Sequence, residues 1–132
     1  MNNIKAEYQV DQTVTMNDET KRYSQKVDVE VIERNDIYMR YAEQLDEHAL
    51  DVILRVGDGF VKIQRRGVIN MNFHFVEDEM TDTFYESPAG KHHLRIRTKS
   101  LEIGEQAIEI HYEVHDSGDK LGDYHYKIRR VG

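Results

Sequence analysis

The sequence predicts an all-β protein of about eight to ten antiparallel strands, closed into an up-and-down barrel or a barrel-like sandwich. Three observations predict it. The stretch from Leu50 to Phe75 reads LDVILRV-GDG-FVKIQ-RRG-VINMNFHF, three β-type runs parted by two glycine-bearing turns. Ahead of it, Ile4 to Met16 and Thr20 to Glu33 alternate apolar and polar residues over about a dozen positions each, where an ordinary strand has five or six. Alternation of the same period continues to the carboxyl end without a helix-period stripe. Long alternating strands suit a closing sheet, because a flat one would leave long unpaired edges.

Taken in order, the first strand carries Ile4, Ala6, Tyr8, Val10, Gln12, Val14 and Met16 on one face, and Asn17-Asp18-Glu19 turns it. The second sets Tyr23, Val27, Val29 and Val31 opposite Lys26, Asp28 and Glu30, and Asn35-Asp36 supplies the next tight turn. The third, Ile37 to Leu45, puts Ile37, Met39, Tyr41, Glu43 and Leu45 on one face. Asp46 to Ala49 reads as a loop or a single helical turn. In the central meander, Val52, Leu54 and Val56 share a face, as do Val61 and Ile63, then Ile69, Met71, Phe73 and Phe75. Gly57-Asp58-Gly59 suits a three-residue turn with a bulge, and Arg65-Arg66-Gly67-Val68 a shorter one.

A short strand from Thr81 to Glu86 ends at Ser87-Pro88-Ala89-Gly90. Leu94, Ile96 and Thr98 then alternate with Arg95, Arg97 and Lys99. After a turn at Gly104, Ile108, Ile110, Tyr112 and Val114 alternate with Glu109, His111 and Glu113. A basic outer face therefore lies beside an acidic one, so RIRTK reads as a strand-pairing device and not as a phosphate site. A loop from Asp116 to Gly122 precedes a last strand with Tyr124, Tyr126 and Ile128 on one face.

With 132 residues and a single proline, the chain reads as one domain over residues 1–132, large enough to bury roughly two thirds of its unfolded surface. It has no cysteine, which excludes disulfides and thiolate chemistry. The amino end lacks an apolar signal core and no apolar stretch reaches membrane-spanning length, so cytoplasmic residence is expected. A formal charge of −7 with signs interspersed argues against nucleic-acid and anionic membrane partners.

The run YMRYAEQ, then VGDGFVKIQRRGVINMNFHFV, then LRIRTKSL, resembles the YwiB-like family of uncharacterised bacterial proteins in order and spacing; the first two strands match it in pattern only. The residues carrying the resemblance include Tyr41, Glu43, Arg65, Gly67, Met71, Phe75 and Thr98-Lys99-Ser100. It implies a calycin-like, lipocalin-type β-barrel and no activity.

Parity places three polar residues among these inside: Glu43, Arg65 and Thr98. A carboxylate and a guanidinium in a barrel interior are expected to pair, because an isolated buried charge costs several kcal/mol or changes its protonation state. The functional reading is a site for a small, partly apolar ligand in or at the mouth of the barrel. It comprises Tyr41, Glu43, Arg65, Met71 and Thr98, with Glu43 and Arg65 giving orientation. The competing reading is a filled barrel with an internal salt bridge that specifies register, acting as a structural or interaction module that can pair with a second copy. A third reading makes Glu43 a general base, kept ionised by Arg65.

Other chemistry finds less footing. Of the seven histidines, His111 and His115 stand about 13 Å apart at strand rise, and His92 and His93 point to opposite faces. What is left for a metal is a site assembled across strands on an outer face, for example His93 with His111 and His125. Pairing of the histidines with Glu109 and Glu113 is the simpler expectation, and no metal or cofactor is assigned. Ser24, Ser87, Ser100 and Ser117 occupy strand-polar or turn positions without a nucleophile elbow.

Overall fold

The computed structural model describes residues 2–45 and 47–132. Ten strands follow one another: β1 (Asn2–Met16), β2 (Glu19–Glu33), β3 (Ile37–Leu45), β4 (His48–Val56), β5 (Val61–Arg66), β6 (Asn70–Phe75), β7 (Met80–Ser87), β8 (Gly90–Ile103), β9 (Ala107–Asp116) and β10 (Asp119–Arg130). Each pairs antiparallel with its sequence neighbours, and β1 pairs with β10, so the sheet closes as an up-and-down barrel. Closure follows from the long first strand: β1 pairs along its whole length with β2 on one edge and over Tyr8–Thr15 with β10 on the other, from Tyr8↔Arg130 to Thr15↔Asp123.

The inward parity predicted for the strands, the short Thr81–Glu86 one excepted because no face was assigned to it, is the parity observed, with Ile4, Met16 and Ile37 exposed at the strand ends and the Leu45 side chain outside those described. Val10, Val29, Val52, Leu54, Val61, Ile63, Phe75, Ile96, Ile110 and Ile128 are buried in one core, and the intervening residues face outward. Charged pairs stitch the outer wall across β8 and β9, as with Arg97↔Glu113 in register and Lys99 Nζ 3.9 Å from Glu113.

Two seams depart from regular pairing. Only Glu30–Glu33 of β2 pair with Ile37–Arg40 of β3. Beyond them the Gln25 side chain stands in for the ladder, donating to the Gln44 carbonyl at 3.4 Å and accepting from its N–H at 3.3 Å. Likewise β6 and β7 pair only at Asn70↔Glu86 and Met71↔Tyr85. Hydroxyls of Thr81 and Thr83 donate to the carbonyls of His74 and Asn72 there, so these two carbonyls stay satisfied where the strands part.

The turns correct the sequence reading in three places. The β4–β5 connection has four residues, Gly57 to Phe60, closed by Gly57 N–H to the Phe60 carbonyl at 3.0 Å. Only Gly59 there has positive φ (78°), whereas a Cβ at Gly57 would meet the Phe60 ring at 2.1 Å, so the missing side chain lets that ring fold over the turn. The expected Asp116 to Gly122 loop is a two-residue turn, Ser117-Gly118, with φ of 52° and 88°; polar Asp119 and Lys120 already belong to the β10 ladder. Glu47 lies in a turn and His48 begins β4, so no helical turn forms at residues 47–49, and Asp46 lies outside the described residues.

Candidate functional site

Call the end of the barrel that carries the β1–β2 and β9–β10 turns the upper mouth. Here β3 and β5 project Glu43 and Arg65 inward, as their parity requires, and both are buried, at 2% and 3% exposure. Arg65 Nε donates to Glu43 Oε2 at 3.4 Å. From β1, Gln12 completes the pair: its Nε2 donates to Glu43 Oε1 at 3.0 Å and its Oε1 accepts from Arg65 Nη2 at 3.0 Å. One neutral amide thus serves an anion and a cation at once, which neither an acid nor a base at that position would do.

Tyrosine hydroxyls form the other side of the network. Tyr41 donates to Glu43 Oε2 at 3.4 Å and meets the Tyr126 hydroxyl at 2.7 Å, an arrangement satisfied when Tyr126 donates to Tyr41. The Arg65 guanidinium carbon sits 5.7 Å from the Phe73 ring centre and 5.8 Å from that of Tyr126. Burial opposes the Arg65 charge, but the Glu43 carboxylate and the surrounding tyrosines outweigh it and raise its pKa. Burial holds the tyrosines neutral: Tyr112 is pushed up to about 12, with Arg65 partly opposing, and Tyr41 and Tyr126 are raised as well.

Above this network lies a cavity of about 460 Å³. Arg65 and Gln12 form part of its lining, with Met71 and Phe73 from β6 and the stacked rings of Tyr112 and Tyr124, whose centroids are 5.1 Å apart. Val14, Leu94 and Val114 add apolar wall. Arg65 is the only charged residue among the described residues lining the cavity.

The structure therefore brings Tyr41, Glu43, Arg65 and Met71 to one end of the barrel but divides their positions. Arg65 and Met71 line the cavity; Glu43 and Tyr41 lie behind Arg65, in the network and not in the lining. Thr98 is not brought there. It is buried on β8, tied by its backbone to Asp78 and Glu79 in the β6–β7 connection, and its hydroxyl makes no hydrogen bond. Parity gave Thr98 the right face and could not give its place along the barrel. Gln12, Tyr112 and Tyr126 were not singled out as site residues, although each stands at an inward position of its strand.

On the outer wall, His93 does not join His111 and His125. It pairs with Asp82 at 2.8 Å, whereas His111 and His125 stack across β9 and β10 with centroids 4.1 Å apart beside Glu109. His125 lies 2.6 Å from Glu109 and His115 3.0 Å from Glu113, the acid partners expected from the sequence.

Comparison with known proteins adds three findings. A family model described as "Domain of unknown function (DUF1934)" matches residues 8–128. The "Uncharacterized beta-barrel protein YwiB" of Bacillus subtilis (strain 168) is 31% identical over 98 residues, covering 71% of this chain and 68% of that protein. The crystal structure of the ywiB protein from Bacillus subtilis superposes with a TM-score of 0.75 at 20% identity, covering 98% of this chain and 94% of that one, which shows a common fold. With the model spanning nine of the ten strands in full or nearly so, and the barrel shared across the whole chain, this protein belongs to the DUF1934, YwiB-like family.

Proposed function

We propose that the barrel binds a small, partly apolar molecule in its upper mouth, in the manner of calycin-like and lipocalin-like carriers. One observation carries this reading: the cavity of about 460 Å³ is walled by aromatic and aliphatic side chains, and Arg65 at its base is the single charged group among its described lining residues. That is the composition of small-molecule sites, which bury an apolar body and orient it with few polar groups. In this reading Met71, Phe73, Leu94 and the Tyr112–Tyr124 pair cover the ligand's body, Arg65 and Gln12 meet its polar end, and Glu43 and Tyr41 hold Arg65 in place. Cytoplasmic residence, with neither nucleic acid nor membrane as partner, belongs to the same proposal and draws on the absence of cysteine and the charge of −7.

A fluorescence titration with the neutral dye Nile red tests it. Saturable binding to one site per chain is expected, with loss of that signal in Met71→Trp, which fills the cavity from β6 while leaving the β-sheet circular dichroism unchanged. Absence of saturable binding, or binding indifferent to Met71→Trp, would contradict the reading. A second reading, an interaction module that pairs with another copy, draws on the opposite end, where exposed Ile4, Ile37 and Ile103 surround a second cavity of about 230 Å³.

A further inference from the structure

The charge of Arg65 is already matched. Its Nε bonds to Glu43, its Nη2 bonds to Gln12, and the Glu43 side chain is wholly shielded from solvent while Arg65 reaches the cavity. The polar cluster at the base of the cavity is thus neutral before any ligand arrives. A second carboxylate entering the cavity would share one guanidinium with Glu43 and leave the cluster with a net negative charge against largely apolar walls. The field of a chain carrying −7 opposes an anion in the same sense. What Arg65 retains is hydrogen-bonding capacity: a guanidinium has five N–H donors, of which Nε and one Nη2 N–H are committed to Glu43 and Gln12 and a further one is shared with the Tyr112 hydroxyl at the cavity wall, so donors remain for a ligand.

From this geometry we infer that the mouth selects an uncharged ligand, an apolar or aromatic body ending in a neutral hydrogen-bond acceptor such as an amide, ketone or ester carbonyl, and that Glu43 sets this selection by neutralising Arg65 from behind. The inference rests on the ligand-binding reading above and specifies its ligand class. Glu43 is here a positioning residue, buried out of the cavity lining and acting on the ligand only through Arg65. The selection resides in the charge of Glu43, so removing that charge while keeping its shape should invert the preference. With Glu43→Gln, Arg65 becomes an unmatched cation at the base of an apolar cavity and should favour an anion.

The test compares a naphthalene carboxamide with the matching naphthalene carboxylate, two probes of nearly equal shape, by calorimetric titration at neutral pH. For the wild-type protein the amide should bind at least about tenfold more tightly, and for Glu43→Gln the order should reverse. Tighter binding of the carboxylate by the wild type overturns the inference and leaves the ligand-binding reading standing. An unchanged order in Glu43→Gln also overturns it, because the preference would then not come from Glu43. Failure of both probes to bind at millimolar concentration overturns the inference and the reading beneath it. If Glu43→Gln does not fold, a wild-type measurement decides: carboxylate binding repeated in buffers of different protonation enthalpy should show net proton uptake. The titratable groups around the site are Glu43, Arg65 and the tyrosines Tyr23, Tyr41, Tyr85, Tyr112, Tyr124 and Tyr126, and Arg65 with the raised Tyr41, Tyr112, Tyr124 and Tyr126 is already protonated at neutral pH. Proton uptake therefore means that the incoming carboxylate or Glu43 is neutralised on binding, and its absence means that an anion binds as such, contrary to the inference.

Discussion

Arg65 and Glu43 are joined inside the barrel by an Nε to Oε2 contact of 3.4 Å, with side chains 4% and 0% exposed. The two ends of this ion pair are not equivalent. Arg65 borders the cavity, whereas Glu43 is enclosed by Gln12, Tyr41 and Arg65. Removing either partner therefore strands a charge in a different setting.

Arg65→Met should be the more damaging change. It leaves the Glu43 carboxylate in a dry wall with only Gln12 and Tyr41 as donors, and loss of one partner of a buried pair costs about 3–5 kcal/mol. Glu43→Gln leaves a guanidinium that cavity water can reach, so its loss should be smaller. The double variant should recover much of the Arg65→Met deficit, since no buried charge remains. Urea unfolding of the three variants measures this; equal losses for the two single changes, or strict additivity in the double, would contradict the asymmetry.

Alkaline titration should single out the buried tyrosines. Tyr112 is held up to about 12 against an ordinary value of 10.0, chiefly by burial. A raised folded-state pKa on a group that is neutral when protonated contributes stability below the unfolded value and loses it as pH rises through the folded one. Stability should therefore decline between about pH 10 and pH 12, with tyrosinate absorbance from Tyr41, Tyr112 and Tyr126 appearing together with unfolding. Ionisation of all eight tyrosines near pH 10 without loss of structure would show that the cluster is not shielded.

The acid limb should report the outer wall. The hydrogen bond from His125 lowers the Glu109 pKa below its ordinary 4.5, and the bond from His115 does the same for Glu113, with Lys120 assisting. A depressed carboxylate pKa gives stability that is present above the unfolded value and lost as pH falls through the folded one, here below about pH 4.5. Carbon-detected NMR should show the Glu109 titration moving back up in His125→Ala. A Glu109 midpoint that does not respond to His125→Ala would mean that the 2.6 Å contact does not set it.

Gly67 is predicted to resist substitution by alanine although its φ is not positive. A Cβ there would meet Leu50 Cδ2 at 2.6 Å and the Ala49 carbonyl oxygen at 2.9 Å, and the latter is backbone that cannot swing aside. Overpacking of this kind costs about 1–3 kcal/mol. Thermal unfolding of Gly67→Ala measures it, and a variant as stable as the parent would show that the β5–β6 turn can shift away from β4.

How much of this was legible in the sequence depends on what period-two alternation encodes. It reports which face a side chain takes, so Glu43 and Arg65 could be placed inside and together, and the charge of each made the position conspicuous. Gln12 carried the same parity signal, but a neutral amide among apolar neighbours raises no such alarm, and its bridging role depends on β1 closing against β10 and standing opposite β3 and β5. Thr98 shows the limit from the other side. Its inward face was right, yet strand tilt and the register shift between Thr98 and Ser100 decide where along the barrel a residue sits, and neither is written in the local pattern. The His93 placement failed for the same reason: pairing with β7 sets it beside Asp82, away from His111 and His125. The β9–β10 turn was overestimated in length because Asp119 and Lys120 look like loop composition while serving as outward residues of a ladder.

Native mass spectrometry of the protein purified from the cells that make it, set against its mass after denaturation, tests the central claim most directly. The account predicts an additional small-molecule mass on the native chain that disappears on denaturation and is absent from Met71→Trp, with the released compound uncharged at neutral pH. A native mass equal to that of the bare chain, unchanged by added apolar ligands, would contradict it and turn attention to the Ile4, Ile37 and Ile103 end of the barrel.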